Sequence, residues 1–169
     1  MIRAHGLRSA EDGDGITAQG VVTLEREARY RRRGVLTTEA GETLLLDLPE
    51  ATELEHGALL MLEDGRAVEV RAAPEPLLEI RAEDARHLAR LAWHIGNRHL
   101  PAEVQADRLL IQRDHVIAEM VRRLGGMVAE VTEPFRPEGG AYGHGRTHGH
   151  HHAHDAHADP NAHIPHRHD

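Results

Sequence analysis

The chain has 169 residues, of which 20 are arginine or lysine and 28 are acidic, and it carries a net charge of −8 with its 16 histidines neutral. There is no cysteine and no lysine. Disulfides, thiolate nucleophiles and Cys-based zinc sites are thereby excluded, as are a Walker phosphate loop and Schiff-base chemistry. The acidic balance argues against nucleic acid, whose phosphates need a basic surface. The lone serine, Ser9, lies in a polar stretch without helix or strand pattern, and no His-Glu-x-x-His pair occurs, so a triad hydrolase and a zincin both fail. No apolar run approaches membrane-spanning length and Met1 to Gly6 carries no signal-peptide pattern, so a cytoplasmic protein that avoids membranes and is not an enzyme is expected.

In chain order, residues 1–73 read as a small β domain. Val21 to Leu24 forms one predicted strand. Gly34 to Thr38 and Thr43 to Leu48 make a hairpin with Gly41 in the turn, and Ala58 to Leu62 and Ala67 to Arg71 make a second across Asp64-Gly65. The run Arg29-Tyr30-Arg31-Arg32-Arg33 reads as a solvated strand face or loop, with a docking patch for an acidic partner as the sharper alternative.

Pro74-Glu75-Pro76 marks the boundary, because prolines deny a sheet its donors. Residues 74–138 then change grammar. A short strand at Leu77 to Ile80 precedes a helix over 83–95 whose apolar positions are Ala85, Leu88, Ala89, Ala92 and Ile95. Two strand-like segments follow at 102–105 and 108–112. Asp114 caps a second helix with Val116, Ile117, Met120, Val121 and Leu124 as its face, and residues 127–131 form the last strand. The order βαββαβ is the ferredoxin-like motif. The fold class is therefore α+β: a small N-terminal β domain, a ferredoxin-like domain, and a tail over 139–169. That tail holds Gly, Ala, Asp and His with little to bury, and is expected to be disordered without metal. Its histidines are interspersed with small and acidic residues, unlike the contiguous run of a purification tag.

The first helix closes on Gly96-Asn97-Arg98-His99-Leu100-Pro101. Gly96 and Asn97 tolerate left-handed backbone and Pro101 stops the helix, so His99 is placed at the terminus. A histidine there is ordinarily a surface residue interacting with the helix dipole. Ten of the sixteen histidines, however, lie between His144 and His168. Imidazole without thiolate suits nickel, copper or zinc, and copper normally binds most tightly, so composition does not select among them. His87 and His94 stand seven residues apart, roughly 10.5 Å along a helix, too far to share one ion. They read as structural or surface residues, as do His5 and His56. His115 follows the capping Asp114 and has Glu119 one turn later. A capped helix start is the plain account, and a ligand is the alternative.

The Gly-Asn-Arg-His-x-Pro motif at residues 96–101, together with the His-rich tail, resembles the urease accessory protein (UreE) family of nickel metallochaperones. The resemblance implies a partner-contacting N-terminal domain and a ferredoxin-like domain for metal binding and dimerisation. It implies that His99 is a ligand shared across a homodimer, with Asn97 and Arg98 as orienting neighbours. It places the pair Asp114-His115 in the metal-binding domain, where some members carry a further histidine just ahead; here that position is Arg113. The tail ligands would be drawn from His144, His148, His150, His151, His152, His154 and His157. The cargo implied is Ni2+, with Zn2+ and Cu2+ as competitors, delivered to the urease apoprotein alongside a P-loop GTPase accessory protein. The rival is a nickel or zinc buffer or storage protein in which the tail is the function.

Overall fold

The computed structural model describes residues 1–13 and 15–139. The tail expected over residues 139–169, with its candidate ligands, lies outside them from residue 140 onward. The described chain forms two sheets, the first built from residues 2–72 and the second from residues 74–134.

The first sheet has six strands: β1 (Ile2–Arg8), β2 (Gly20–Leu24), β3 (Tyr30–Thr37), β4 (Thr43–Glu53), β5 (Leu59–Leu62) and β6 (Ala67–Ala72), in the order β2-β6-β5-β1-β4-β3. Both predicted hairpins are present, β3 with β4 and β5 with β6. Their turns need positive φ, and glycine supplies it at Gly41 (φ 84°) and Gly65 (φ 86°). Two features escape a local reading. β1 lies at the centre, parallel to β4 and antiparallel to β5, and β2 runs parallel to β6. Such pairings join segments distant in sequence, where no turn signal announces them. One face of the sheet buries Ala4, Val22, Leu36, Leu44, Leu46, Leu60, Val68 and Val70 in a single aliphatic core.

Between β2 and β3 a single helical turn, α1 (Arg26–Arg29), corrects the reading of the arginine run. Arg32 and Arg33 are exposed as expected, but Arg29 is only 2 % exposed. Its guanidinium donates to the carbonyl of Phe135, more than a hundred residues away. Burial lowers its pKa, since taking the cation out of water disfavours the charged form.

The second sheet contains β7 (Pro74–Arg81), β8 (Ala102–Val104), β9 (Leu109–Gln112) and β10 (Met127–Pro134), in the order β10-β7-β9-β8 with every neighbouring pair antiparallel. With α2 (Ala85–Gly96) and α3 (His115–Arg123) this is the ferredoxin-like arrangement read from the sequence. The prolines do not exclude a strand, however. β7 begins at Pro74, with Pro74 opposite Pro134 and Pro76 opposite Thr132. β9 reaches only as far as Gln112, opposite Leu77, so at both prolines β7 has one neighbour and no second ladder to lose.

Both helices pack on one face of this sheet, over Leu78, Ile80, Leu109 and Ile111. The buried stripe of α2 is Leu88, Leu91 and Ile95, whereas Ala85 and Ala89 are exposed. Leu91, absent from the predicted face, takes the core position because the larger side chain buries more apolar area. In α3 the buried residues are Ile117, Ala118 and Val121, and Val116 is 62 % exposed. The opposite face of the sheet holds Leu77 and Leu110 under Phe135, which is fully buried.

Candidate metal centre

α2 begins at Asp84, whose carboxylate accepts the backbone N–H of His87 at 2.7 Å. The last helical bond runs from Asn97 N–H to Trp93 O at 3.0 Å, and the end then tightens, with Arg98 N–H donating to Ile95 O at 3.0 Å and His99 N–H to Gly96 O at 2.9 Å. These two shorter spans satisfy carbonyls that a helix end would leave orphaned. The Arg98 guanidinium adds a bond to His94 O at 2.7 Å. The left-handed residue at this end is neither Gly96 nor Asn97, which is right-handed at φ −61°. It is His99 itself, at φ 56°, the one non-glycine residue with positive φ among those described. An L-residue in that region costs roughly 1 kcal/mol, so the turn holds His99 where its side chain stands clear of the helix. The residue is exposed.

The other candidates are placed separately. Asp114 caps α3, accepting from Val116 N–H at 2.8 Å and Ile117 N–H at 3.1 Å, so its carboxylate is engaged by backbone. His115 is exposed at the first position of that helix, beside a shallow cleft that Arg113, Arg122 and Glu130 also line. Arg113, standing where a further histidine would be, pairs with Glu130 at 3.0 Å. Glu119 pairs with Arg123 at 3.0 Å. His87 hydrogen bonds through Nε2 to Leu124 O at 2.9 Å, joining the start of α2 to the end of α3. His94 stands edge-on to Trp93 with centroids 5.0 Å apart, and His56 Nδ1 accepts the N–H of Ala72 at 3.2 Å. Among the described residues no three histidine or acidic side chains converge on a point that could hold a metal ion. Within one chain His99 therefore offers a single imidazole, and the remaining ligands of any ion held there must come from elsewhere.

One element of this region carried no sequence signal. After β10 the chain turns under the sheet. Phe135 seals Leu77 and Leu110, Arg136 N–H donates to Glu103 Oε2 at 2.7 Å, and Glu138 N–H donates to Ala102 O at 2.8 Å. The stretch that leads into the tail is thus tied to β8, three residues beyond His99. A lone phenylalanine in a chain with four aromatic residues was the only available hint.

Set beside known proteins, residues 3–73 match the family model for the UreE urease accessory protein N-terminal domain, and residues 75–168 match that for its C-terminal domain. The urease accessory protein UreE of Chelativorans sp. (strain BNC1) is 56 % identical over 142 residues, covering 84 % of this chain and 87 % of that protein. That of Ruegeria sp. (strain TM1040) is 60 % identical over 127 residues, 75 % of this chain and 70 % of the relative. The Brucella anthropi protein of the same name is 47 % identical over 148 residues, 88 % and 87 % of the two chains. The class is that of a urease accessory protein. The chain belongs to the UreE family.

Proposed function

We propose that this protein is a nickel metallochaperone: it captures Ni2+ and hands it on for assembly of the urease active site. The reading is carried by one observation, the exposed His99 held at φ 56° on the end of a capped helix whose inner face is buried. A side chain kept in a strained turn, without a structural partner of its own, is suited to presenting a ligand. Family membership supplies the urease connection.

Two copies of His99 on a homodimer axis would place two imidazoles on one ion, leaving positions open for exchange. Trp93, 63 % exposed on the same end of α2, offers apolar surface for such a contact. Tail histidines would complete the sphere and pass the ion by ligand exchange. The connection of residue 138 to β8 favours this, because six residues from Glu138 to His144 span at most about 21 Å. Asn97 and Arg98 orient the turn, while His115 is a secondary ligand. Zn2+ and Cu2+ compete for imidazole. In this scheme residues 1–73 contact partner proteins, residues 74–138 bind metal and dimerise, the urease apoprotein and a P-loop GTPase receive the cargo, and delivery occurs in the cytoplasm. No helix among the described residues is long and apolar enough to cross a membrane.

The test is His99→Ala. Calorimetric titration with Ni2+ should lose its tightest event while most of the capacity remains, and urease activation in a reconstituted system should fall far more than total bound nickel. A His99→Ala protein that activates urease normally, while a chain lacking residues 144–169 does not, would overturn the reading in favour of the tail as the delivery site.

A further inference from the structure

β10 and β8 are the two opposite edges of the second sheet. Three inter-strand steps of about 4.8 Å separate them, roughly 14 Å. A tail leaving directly from Pro134 would therefore start on the far edge from the His99 turn. Residues 135–138 carry it across instead, and two buried charged side chains hold them from either side. From the first domain Arg29 donates to the Phe135 carbonyl. From β8 Glu103, only 6 % exposed, accepts Arg136 N–H at 2.7 Å and is itself oriented by Gln105 Nε2 at 2.9 Å. Burying a guanidinium and a carboxylate for the sake of a crossing loop is costly unless each is paired. Arg29 Nε has no hydrogen-bond partner, so that cost is not fully offset. A plain surface connection would avoid it.

We infer that residues 135–138 form a strap, and that Arg29 and Glu103 are positioning residues that hold the root of the His-rich tail beside His99. The inference rests on the reading of His99 as a metal ligand. Its physical content is effective concentration. With the strap closed, six residues separate the last tethered position from His144. With it open, ten residues do so, starting from the far edge. The longer tether dilutes the first tail imidazoles at His99 by at least about twofold, from the scaling of effective concentration with tether length alone.

The experiment uses the full-length protein, alone and with His144→Ser and the other tail histidines likewise changed, in native, Arg29→Met, Glu103→Leu and Glu103→Gln backgrounds. Ni2+ affinity is read by competition with a chromogenic chelator, amide exchange is followed at Glu138, and thermal melts confirm folding. Native chains should bind more tightly with tail histidines than without. That tail-dependent gain should shrink at least about twofold in Arg29→Met and Glu103→Leu. Glu138 exchange should accelerate at least about tenfold in both, by local opening. Glu103→Gln, which keeps an acceptor, should behave as native. A role confined to stability would lower the melting temperature but leave the tail-dependent gain unchanged. If both strap variants keep the full gain, or Glu138 exchanges at the native rate in both, the inference falls. If His99→Ala abolishes tight binding yet the tail histidines add nothing to the native chain, the inference falls and the reading of His99 stands. If His99→Ala leaves tight binding intact, both fall.

Discussion

The two sheets are built from the same aliphatic residues, yet they are joined differently. In the second, every pairing is antiparallel and each helix sits between the strands it connects. In the first, the central strand β1 runs parallel to β4 and the edge strand β2 parallel to β6, with no helix among the described residues packed between the partners. The first sheet is a platform closed by mixed parallel and antiparallel pairing. The second is a mount whose helix end aims a side chain. Damage to the first should cost stability without touching His99, whereas damage under α2 should reach the turn.

Core truncation should break this comparison most strongly if it is wrong. Leu60→Ala in the first sheet and Leu91→Ala under α2 each remove a fully buried leucine, and each should cost about 2–5 kcal/mol in chemical denaturation. They should part in metal binding. Measured per folded molecule, Leu60→Ala should bind Ni2+ as the native chain does, while Leu91→Ala should weaken the tightest event, because α2 then seats its last turn on a cavity. Equal weakening by both would mean that the sheets act as one body toward the metal.

The same contrast explains what was legible in the sequence. The βαββαβ order could be read because helical spacing at Leu88 and Ile95, the cap at Asp114 and the turn between β8 and β9 are all local signals. β1 could not, since Ile2 to Arg8 shows only a short alternation and its partners are named by no turn. At the site, His99 could be found from Gly96, Asn97 and Pro101 as helix-stop residues, but which residue would turn left-handed could not. Propensity favours Gly or Asn, whereas here the two successive backbone bonds that tighten the helix end, at Arg98 and His99, leave the reversal to His99. Arg29 was hidden among exposed arginines, because burial by a segment a hundred residues away leaves no local mark.

Acid should separate the sheets next. In the second, Arg81 and Arg108 hydrogen bond to Glu79, with Arg108 at 2.6 Å, and hold its carboxyl below the usual range. Arg108 does the same to Glu133, at 2.8 and 2.9 Å. A carboxyl with a lowered folded pKa stabilises above its unfolded value, near 4.3, and that contribution disappears as pH falls through the folded value. The comparable pairs of the first sheet, Arg66 with Glu42 and Asp64, are more exposed and better screened. Arg108→Met should therefore flatten the loss of melting temperature as pH falls below about 5 more than Arg66→Met does. An unchanged acid profile in Arg108→Met would remove the network from the account.

The smallest effect tests the turn itself. His99 is exposed and left-handed, so its imidazole and its backbone can be altered separately. His99→Ala removes the imidazole and keeps a Cβ at φ 56°, where histidine is tolerated better than alanine, so it should be slightly less stable than the native chain. His99→Gly removes the imidazole and the Cβ penalty together. Relief of left-handed strain, about 1 kcal/mol, is partly offset by the greater freedom of glycine in the unfolded chain, leaving it about 0.5 kcal/mol more stable than native. Both should lose the tightest Ni2+ event to the same extent. That pattern, opposite signs in stability and identical loss of metal, would show that the strain is retained for the ligand it presents. Both variants being less stable than the native chain, with His99→Gly showing no gain, would mean that the imidazole secures the turn, and its placement would then be structural.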